Sequence, residues 1–377
     1  MEKEVILKEG KLLFGFLSDY LNGSKTDRSI DEEDLPFILS LAKQNSLLCV
    51  TYLSLKHNGA ALPSELAKKL EEYSARNLRK TILFEQERRG LYRYLNANKI
   101  DFMPLKGIVV NELYKDYGSR EFADNDILFD SKHDEKVKEY FLSKDYEVKE
   151  YGQGPHDVYQ KKPFYNFEMH RFLFKDYLNS KQIQIFERYF KDYLARMPIK
   201  KDYEHFQSNE DFFIYFMSHF YKHFSAHGCG VRTLLDIKVI LNSYPLDSSY
   251  LDKEFSKLGI KEFVDSLLTL VDKLFNEKEL SESEKEAFLH MLSNGTYGTL
   301  ENGILNLMKE KSRGQYIKER LFPPMSFYQS NYPRAYQSKI GIPFVWLGRF
   351  FKAATKSRKK VKAELKTLNQ AKSKGNQ

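Results

Sequence analysis

Asp124 and Asp126 stand one residue apart in the run NDILFD. Strand alternation would point both carboxylates to the same side. Two anions that close repel each other unless a cation lies between them. Hard divalent ions such as Mg²⁺ (or Mn²⁺) take oxygen ligands and keep positions open for water and phosphate. The pair therefore suits metal-assisted chemistry at a phosphate ester, although the same spacing also occurs in exposed turns that hold no ion. A third carboxylate, Glu168, lies in YNFEMHRFL between Phe167 and Met169. A charge in so apolar a strand is edge-exposed, paired or functional. Arg171 and Arg120 are the candidate partners for the paired reading, and His170 shares the face of Glu168.

Other constellations are less specific. His219, His223 and His227 recur every four residues and would line one stripe of a helix. The residues between them lack the Glu of a zinc-binding HExxH, which leaves packing, solvent exposure or substrate contact. Arg232 and Asp236 are spaced i,i+4, as in a helical ion pair. The chain has no GxxxxGK[ST] and no GxSxG, which removes a P-loop and the simplest hydrolase reading.

These residues need elements to hold them. Helical periodicity runs to about residue 95, with Pro63 suited to the first turn of a helix. The period then shortens. IDFMPL, NDILFD and YNFEMHRFLF read as strands, separated by helices over GIVVNELYKDY and SKHDEKVKEYFLSKDY. YEVKEYG reads as a strand or hairpin arm and GQGPH as a turn. After about 180 the pattern is again helical, over DFFIYFMSHFYKHFSAH, RTLLDIKVILNSY, DSLLTLVDKLF and SEKEAFLHMLSNG. The expected fold is α+β, a small mixed sheet flanked by helical regions. The expected divisions are 1–95, 96–178 and 179–345, followed by a basic tail at 346–377.

The net charge of +8 sits in that tail, where ten Lys/Arg from Arg349 onward face the single acid Glu364. The rest of the chain is close to neutral, which argues against a nucleic-acid partner tracked through its phosphates. Cys49 and Cys229 are far apart and form no CxxC, which fits a reducing cytoplasm better than a disulfide or structural zinc framework. No apolar run reaches the roughly 20 residues of a membrane span, and the start is too charged for a secretory signal. IPFVWLGRFFKAA followed by SRKKVKAELK could lie on an anionic membrane surface, which would place the protein peripherally at the inner membrane. The alternative is that Trp346 and Phe350 pack on the body.

The run IDFMPLKGIVVNELYKDYGSREFADNDILFD resembles an uncharacterised bacterial nucleotidyltransferase-like family of the DNA polymerase beta-type nucleotidyltransferase superfamily. Glu168-Met-His170, YKHFSAHGCGVRTLLDI, FPPMSFYQSNYPRAY and IPFVWLGRFF extend the resemblance over roughly 35–352. It implies transfer of a nucleoside monophosphate from an NTP to an acceptor that these residues do not specify. It also implies Asp124, Asp126 and Glu168 as catalytic metal ligands, Lys106 as a phosphate contact and Gly107 as the loop beneath the phosphates. Arg120 would hold a phosphate or orient Asp124. His170, His223 and Arg232 would contact the nucleotide, the last two from the helical region. Three departures stand out. Gly107 is followed by Ile108 where a second small residue is usual, Asn125 separates the two acids where an apolar residue is usual, and the third acid is Glu where Asp is commoner. They keep open a non-catalytic nucleotide-binding module, or a cell-envelope polysaccharide assembly factor, on the same fold. RNA modification through the basic tail is a third reading, opposed by the near-neutral body.

Overall fold

The computed structural model describes residues 3–152, 154–175 and 180–295, with shorter pieces between 318 and 354. Four helices open the chain: α1 (Lys3–Asn22), α2 (Leu35–Gln44), α3 (Leu48–His57) and α4 (Ser64–Ala97). Pro63 sits immediately ahead of α4, where its fixed φ and missing N–H cost the helix nothing. The helical periodicity that runs from Pro63 to about residue 95 is this one 34-residue helix.

The α+β expectation holds. β1 (Phe102–Pro104), α5 (Lys106–Leu113), β2 (Asn125–Phe129), α6 (Asp134–Ser143), β3 (Glu147–Glu150), β4 (His156–Lys161) and β5 (Tyr165–His170) form the central unit. After α7 (Lys181–Tyr189) and α8 (Tyr193–Arg196) come two short strands, β6 (Ile199–Lys201) and β7 (Glu204–His205). The sheet has seven strands in the order β3-β4-β5-β2-β1-β7-β6. It therefore continues past the boundary expected at 178, because β7 pairs with β1 and brings β6 with it.

The two faces of the sheet differ. Phe102, Ile127, Phe129, Phe167 and Met169 face Leu91 and Leu95 of α4 and Val137 and Phe141 of α6. Phe141 stacks on Tyr159 with ring centroids 4.2 Å apart. Each such fully buried side chain contributes about 1.5–3 kcal/mol. Met103 and Leu128 point the other way, into the main helical core.

That core is built from the first helices together with α9 (Asn209–His227), α10 (Arg232–Ser243), α11 (Ser248–Leu258), α12 (Lys261–Phe275) and α13 (Glu282–Asn294). α9 starts on Ser208, whose hydroxyl accepts from the Asp211 N–H. It ends at Gly228, where φ is +78° and an added Cβ would lie 2.4 Å from the Asn294 amide. After this turn the chain enters α10, which packs against α5 and α12. Among the described residues that follow are two further helices, α14 (Pro333–Ser338) and α15 (Gly341–Ala354), and Trp346 Nε1 donates to the Leu321 carbonyl at 2.8 Å. No helix among the described residues is long and apolar enough to cross a membrane. Most of the basic tail, 355–377, lies outside the described residues.

One buried ion pair ties the sheet to the helical wall. Arg120, in the connection from α5 to β2, grips Asp236 of α10 through Nε and Nη2, both at 2.8 Å. The Tyr114 hydroxyl donates to the same carboxylate at 2.7 Å. Burial alone would raise the Asp236 pKa, but the Arg120 guanidinium holds it below the usual carboxylate range. Asp236→Ala would leave the guanidinium buried and uncompensated. It should cost about 3–5 kcal/mol in denaturant unfolding; a loss below 1 kcal/mol would show that the pair does not hold the two parts together.

Candidate active site

β2 and β5 run parallel, with Asp126 opposite Glu168 and Leu128 opposite His170. Register partners in a sheet share a face, so Asp126, Glu168 and His170 project together toward α9 and α10. Asp124 precedes β2 by one residue and joins them. A cleft of about 360 Å³ lies between this face and the helical wall. Asp124, Asp126, Glu168, Lys106, Gly107, Arg120, His170, His223 and Arg232, the residues singled out from the sequence, all line it.

Their electrostatics are uneven. Burial and the nearby Asp126 charge raise the Asp124 pKa, against the opposing pull of Lys106, Arg232 and Arg120. Burial would also raise Asp126, but Lys106 and a hydrogen bond from His170 hold it well below the usual carboxylate range. Lys106 Nζ lies 3.2 Å and His170 Nε2 2.7 Å from Asp126 Oδ1. Glu168 is pushed up to about 8 by burial and by the charges of Asp126 and Asp124. The pocket thus sheds part of its own repulsion by keeping Glu168 protonated at neutral pH.

The backbone is fitted to this arrangement. Lys106 has φ +36°, an uncommon conformation for a residue with a side chain, at the point where β1 turns into α5. The Leu105 N–H donates to the Asp126 carbonyl at 3.0 Å and locks that turn to β2. The 119–124 segment is held from several sides. Arg232 Nη1 donates to the Glu121 carbonyl at 2.8 Å, Tyr73 to the Glu121 carboxylate at 2.8 Å, and Lys80 Nζ to the Phe122 carbonyl at 2.7 Å.

Several expectations need correction. Arg120 is not poised for a phosphate, because its guanidinium is committed to Asp236. Its charge still reaches Asp124. Gly107 makes room for that guanidinium, since a Cβ there would lie 3.3 Å from Arg120 Nη1. Arg171 does not neutralise Glu168; it bonds the buried Asp157 at 2.8 Å. Asn125, the polar residue between the two acids, is buried, and Arg88 of α4 donates to its Oδ1 at 3.1 Å. Asp236 takes Arg120 as its bidentate partner, not its helical neighbour Arg232. His223 lies on the exposed turn of α9, its Nε2 3.0 Å from that of His219.

Three cleft residues escaped the sequence. His156 lies in β4, directly across from His170, and burial lowers its pKa to about 3. His156 was read as the end of the turn GQGPH and the residues after it were not read as a strand, because Asp157, Val158 and Tyr159 are all buried in succession without alternation. Lys222 faces the acids from α9, with its pKa lowered to about 8 by burial and by Lys106. Thr233 lines the cleft from α10. Beside the cleft runs a groove of about 750 Å³ that shares Phe122, Ala123 and Arg232 with it. Arg76, Arg79 and Lys80 of α4 and the rings of Tyr73, Phe164 and Tyr165 line the groove.

The proton on Glu168 has a measurable consequence. The folded chain keeps it to about pH 8, whereas the unfolded chain releases it near 4.5. Its contribution is therefore complete below the lower value and declines as pH rises to the upper one. Without divalent metal, Glu168→Gln should gain roughly 2 kcal/mol relative to the native chain between pH 5 and 7. Unfolding curves of the two proteins that stay equally spaced across that range would refute the shift.

Residues 31–276 match the family model described as "Uncharacterised nucleotidyltransferase". No curated protein and no solved structure matches the chain. The match includes the sheet, the cleft and the helical wall through α12, and so covers well over half of the sequence; the chain belongs to this family of nucleotidyltransferases.

Proposed function

We propose that the chain transfers a nucleoside monophosphate from an NTP to an acceptor hydroxyl or phosphate, with a divalent cation bound in the cleft. The reading is carried by the convergence of Asp124, Asp126 and Glu168 on one face of the sheet, with Lys106 among them. Three carboxylates lining one cleft are hard oxygen donors of the kind a dication takes. Asp124, Asp126 and Glu168 would hold it, and when bound Mg²⁺ or Mn²⁺ would neutralise triphosphate charge and acidify an acceptor hydroxyl.

The chain's own groups supply the rest. Lys106 and Lys222 approach the acids from opposite walls and would meet the phosphates. The acceptor oxygen attacks the α-phosphorus, pyrophosphate leaves, and the acceptor proton passes to a Glu168 carboxylate oxygen. The acceptor would reach the reacting phosphorus along the adjoining basic and aromatic groove.

Calorimetry should show NTP binding that requires divalent metal. Asp124→Asn and Asp126→Asn should each lower pyrophosphate release by roughly 10²–10³-fold, the equivalent of several kcal/mol of charge stabilisation. Nucleotide bound with undiminished affinity by both variants would refute the assignment. Binding without pyrophosphate release across sugar-phosphate, protein and RNA acceptors would instead indicate a non-catalytic module. Arg76→Glu combined with Arg79→Glu should weaken use of the acceptor and leave NTP affinity unchanged. Equal turnover in that variant would remove the groove from the acceptor path.

A further inference from the structure

His156 and His170 are cleft residues for which an all-oxygen magnesium site has no use. β4 and β5 are antiparallel and set His156 opposite His170, while β5 and β2 are parallel and set Glu168 opposite Asp126. Four donors therefore share one face of three adjacent strands. His156 Nε2 lies 3.7 Å from Glu168 Oε2, and His170 Nε2 lies 3.9 Å from the same oxygen. His170 Nε2 is 2.7 Å from Asp126 Oδ1. Each of His156, Glu168 and His170 offers a donor atom within 4.8 Å of the others, and no other group of three His, Cys, Asp or Glu is so disposed among the described residues. Neighbouring ligands around one ion at about 2.0–2.2 Å stand roughly 3.0–3.5 Å apart. Small side-chain rotations would bring this set to that spacing. His156 Nδ1 is buried without a hydrogen-bond partner among the described residues, so no protein bond holds that ring away from a cation.

We propose that His156, Glu168 and His170, with Asp126 at the edge, form a mixed nitrogen–oxygen site for a first-row transition-metal dication, in preference to Mg²⁺. Imidazole nitrogen favours Mn²⁺ through Zn²⁺, with affinity rising along that series as far as copper, whereas Mg²⁺ keeps to oxygen and water. The proposal deepens the metal-dependent reading of the same cleft and is tested without nucleotide, so the two can fail separately. The rival location for a nitrogen-bound ion is the His219–His223 pair, whose Nε2 atoms are 3.0 Å apart on α9.

The experiment titrates the metal-stripped, nucleotide-free full chain with Co²⁺, read by visible absorption, and with Zn²⁺, read by calorimetry. One ion should bind per chain, and a hundred-fold excess of Mg²⁺ should not displace it. His156→Ala and His170→Ala should each weaken binding by at least about ten-fold, while the His219→Ala, His223→Ala double variant keeps the ion. His156→Gln, closer in size, should show the same loss and carries the test if an alanine variant fails to fold by circular dichroism. Asp124→Asn, which lies outside the set, should still bind Co²⁺ while losing nucleotide, which separates this site from the transfer reaction. Displacement by equimolar Mg²⁺, or loss of the ion in the 219/223 variant with retention in both sheet variants, would overturn the proposal.

Discussion

The parallel pairing of β2 with β5 is the constraint on which the rest of the molecule depends. It sets Asp126 against Glu168 and, two residues on, Leu128 against His170. A slip of one residue in either strand would send its acid into the aromatic core beneath α4 and α6. Core packing on that side and acid convergence on the other are thus one geometric fact. Ile127, Phe129, Phe167 and Met169 anchor the register by filling the core, and the carboxylates are forced together as a result.

Such crowding needs compensation, and the chain supplies it locally. Lys106 leans on Asp126, Lys222 faces the acids from the helical wall, and Glu168 retains its proton. The helical wall stays in place because Arg120 and Tyr114 converge on Asp236. A buried ion pair of this kind is weak as a source of net stability but severe when broken. It fixes where α10 sits, and with it Arg232 and Thr233 at the rim of the cleft.

Much of this was legible in the sequence, and the remainder was hidden for physical reasons. The strands at 102–104, 125–129 and 165–170 announce themselves through short apolar runs, and all nine singled-out residues line one cleft. β4 was not legible, because its buried Asp157 is satisfied by Arg171, which comes fourteen residues later. With β4 went His156. β6 and β7 are too short to carry a periodicity and exist by virtue of the open edge of β1. Arg120 illustrates a different limit. The family resemblance implies that it holds a phosphate or orients Asp124, and only the distant Asp236 shows where its charge is spent. The Arg88–Asn125 bond is similar, since a polar residue between the two acids looks like a flaw until the opposing helix is in view.

The contact between Lys106 and Asp126 carries one more consequence. The ammonium occupies ground beside the carboxylate that any incoming dication must share, and Glu168 holds a proton on the other flank. On the proposed reading, loading the pocket would be a substitution of charge, in which one lysine would swing aside and one hydrogen ion would depart. A displaced Lys106 would then point outward, free to greet the triphosphate that arrives next.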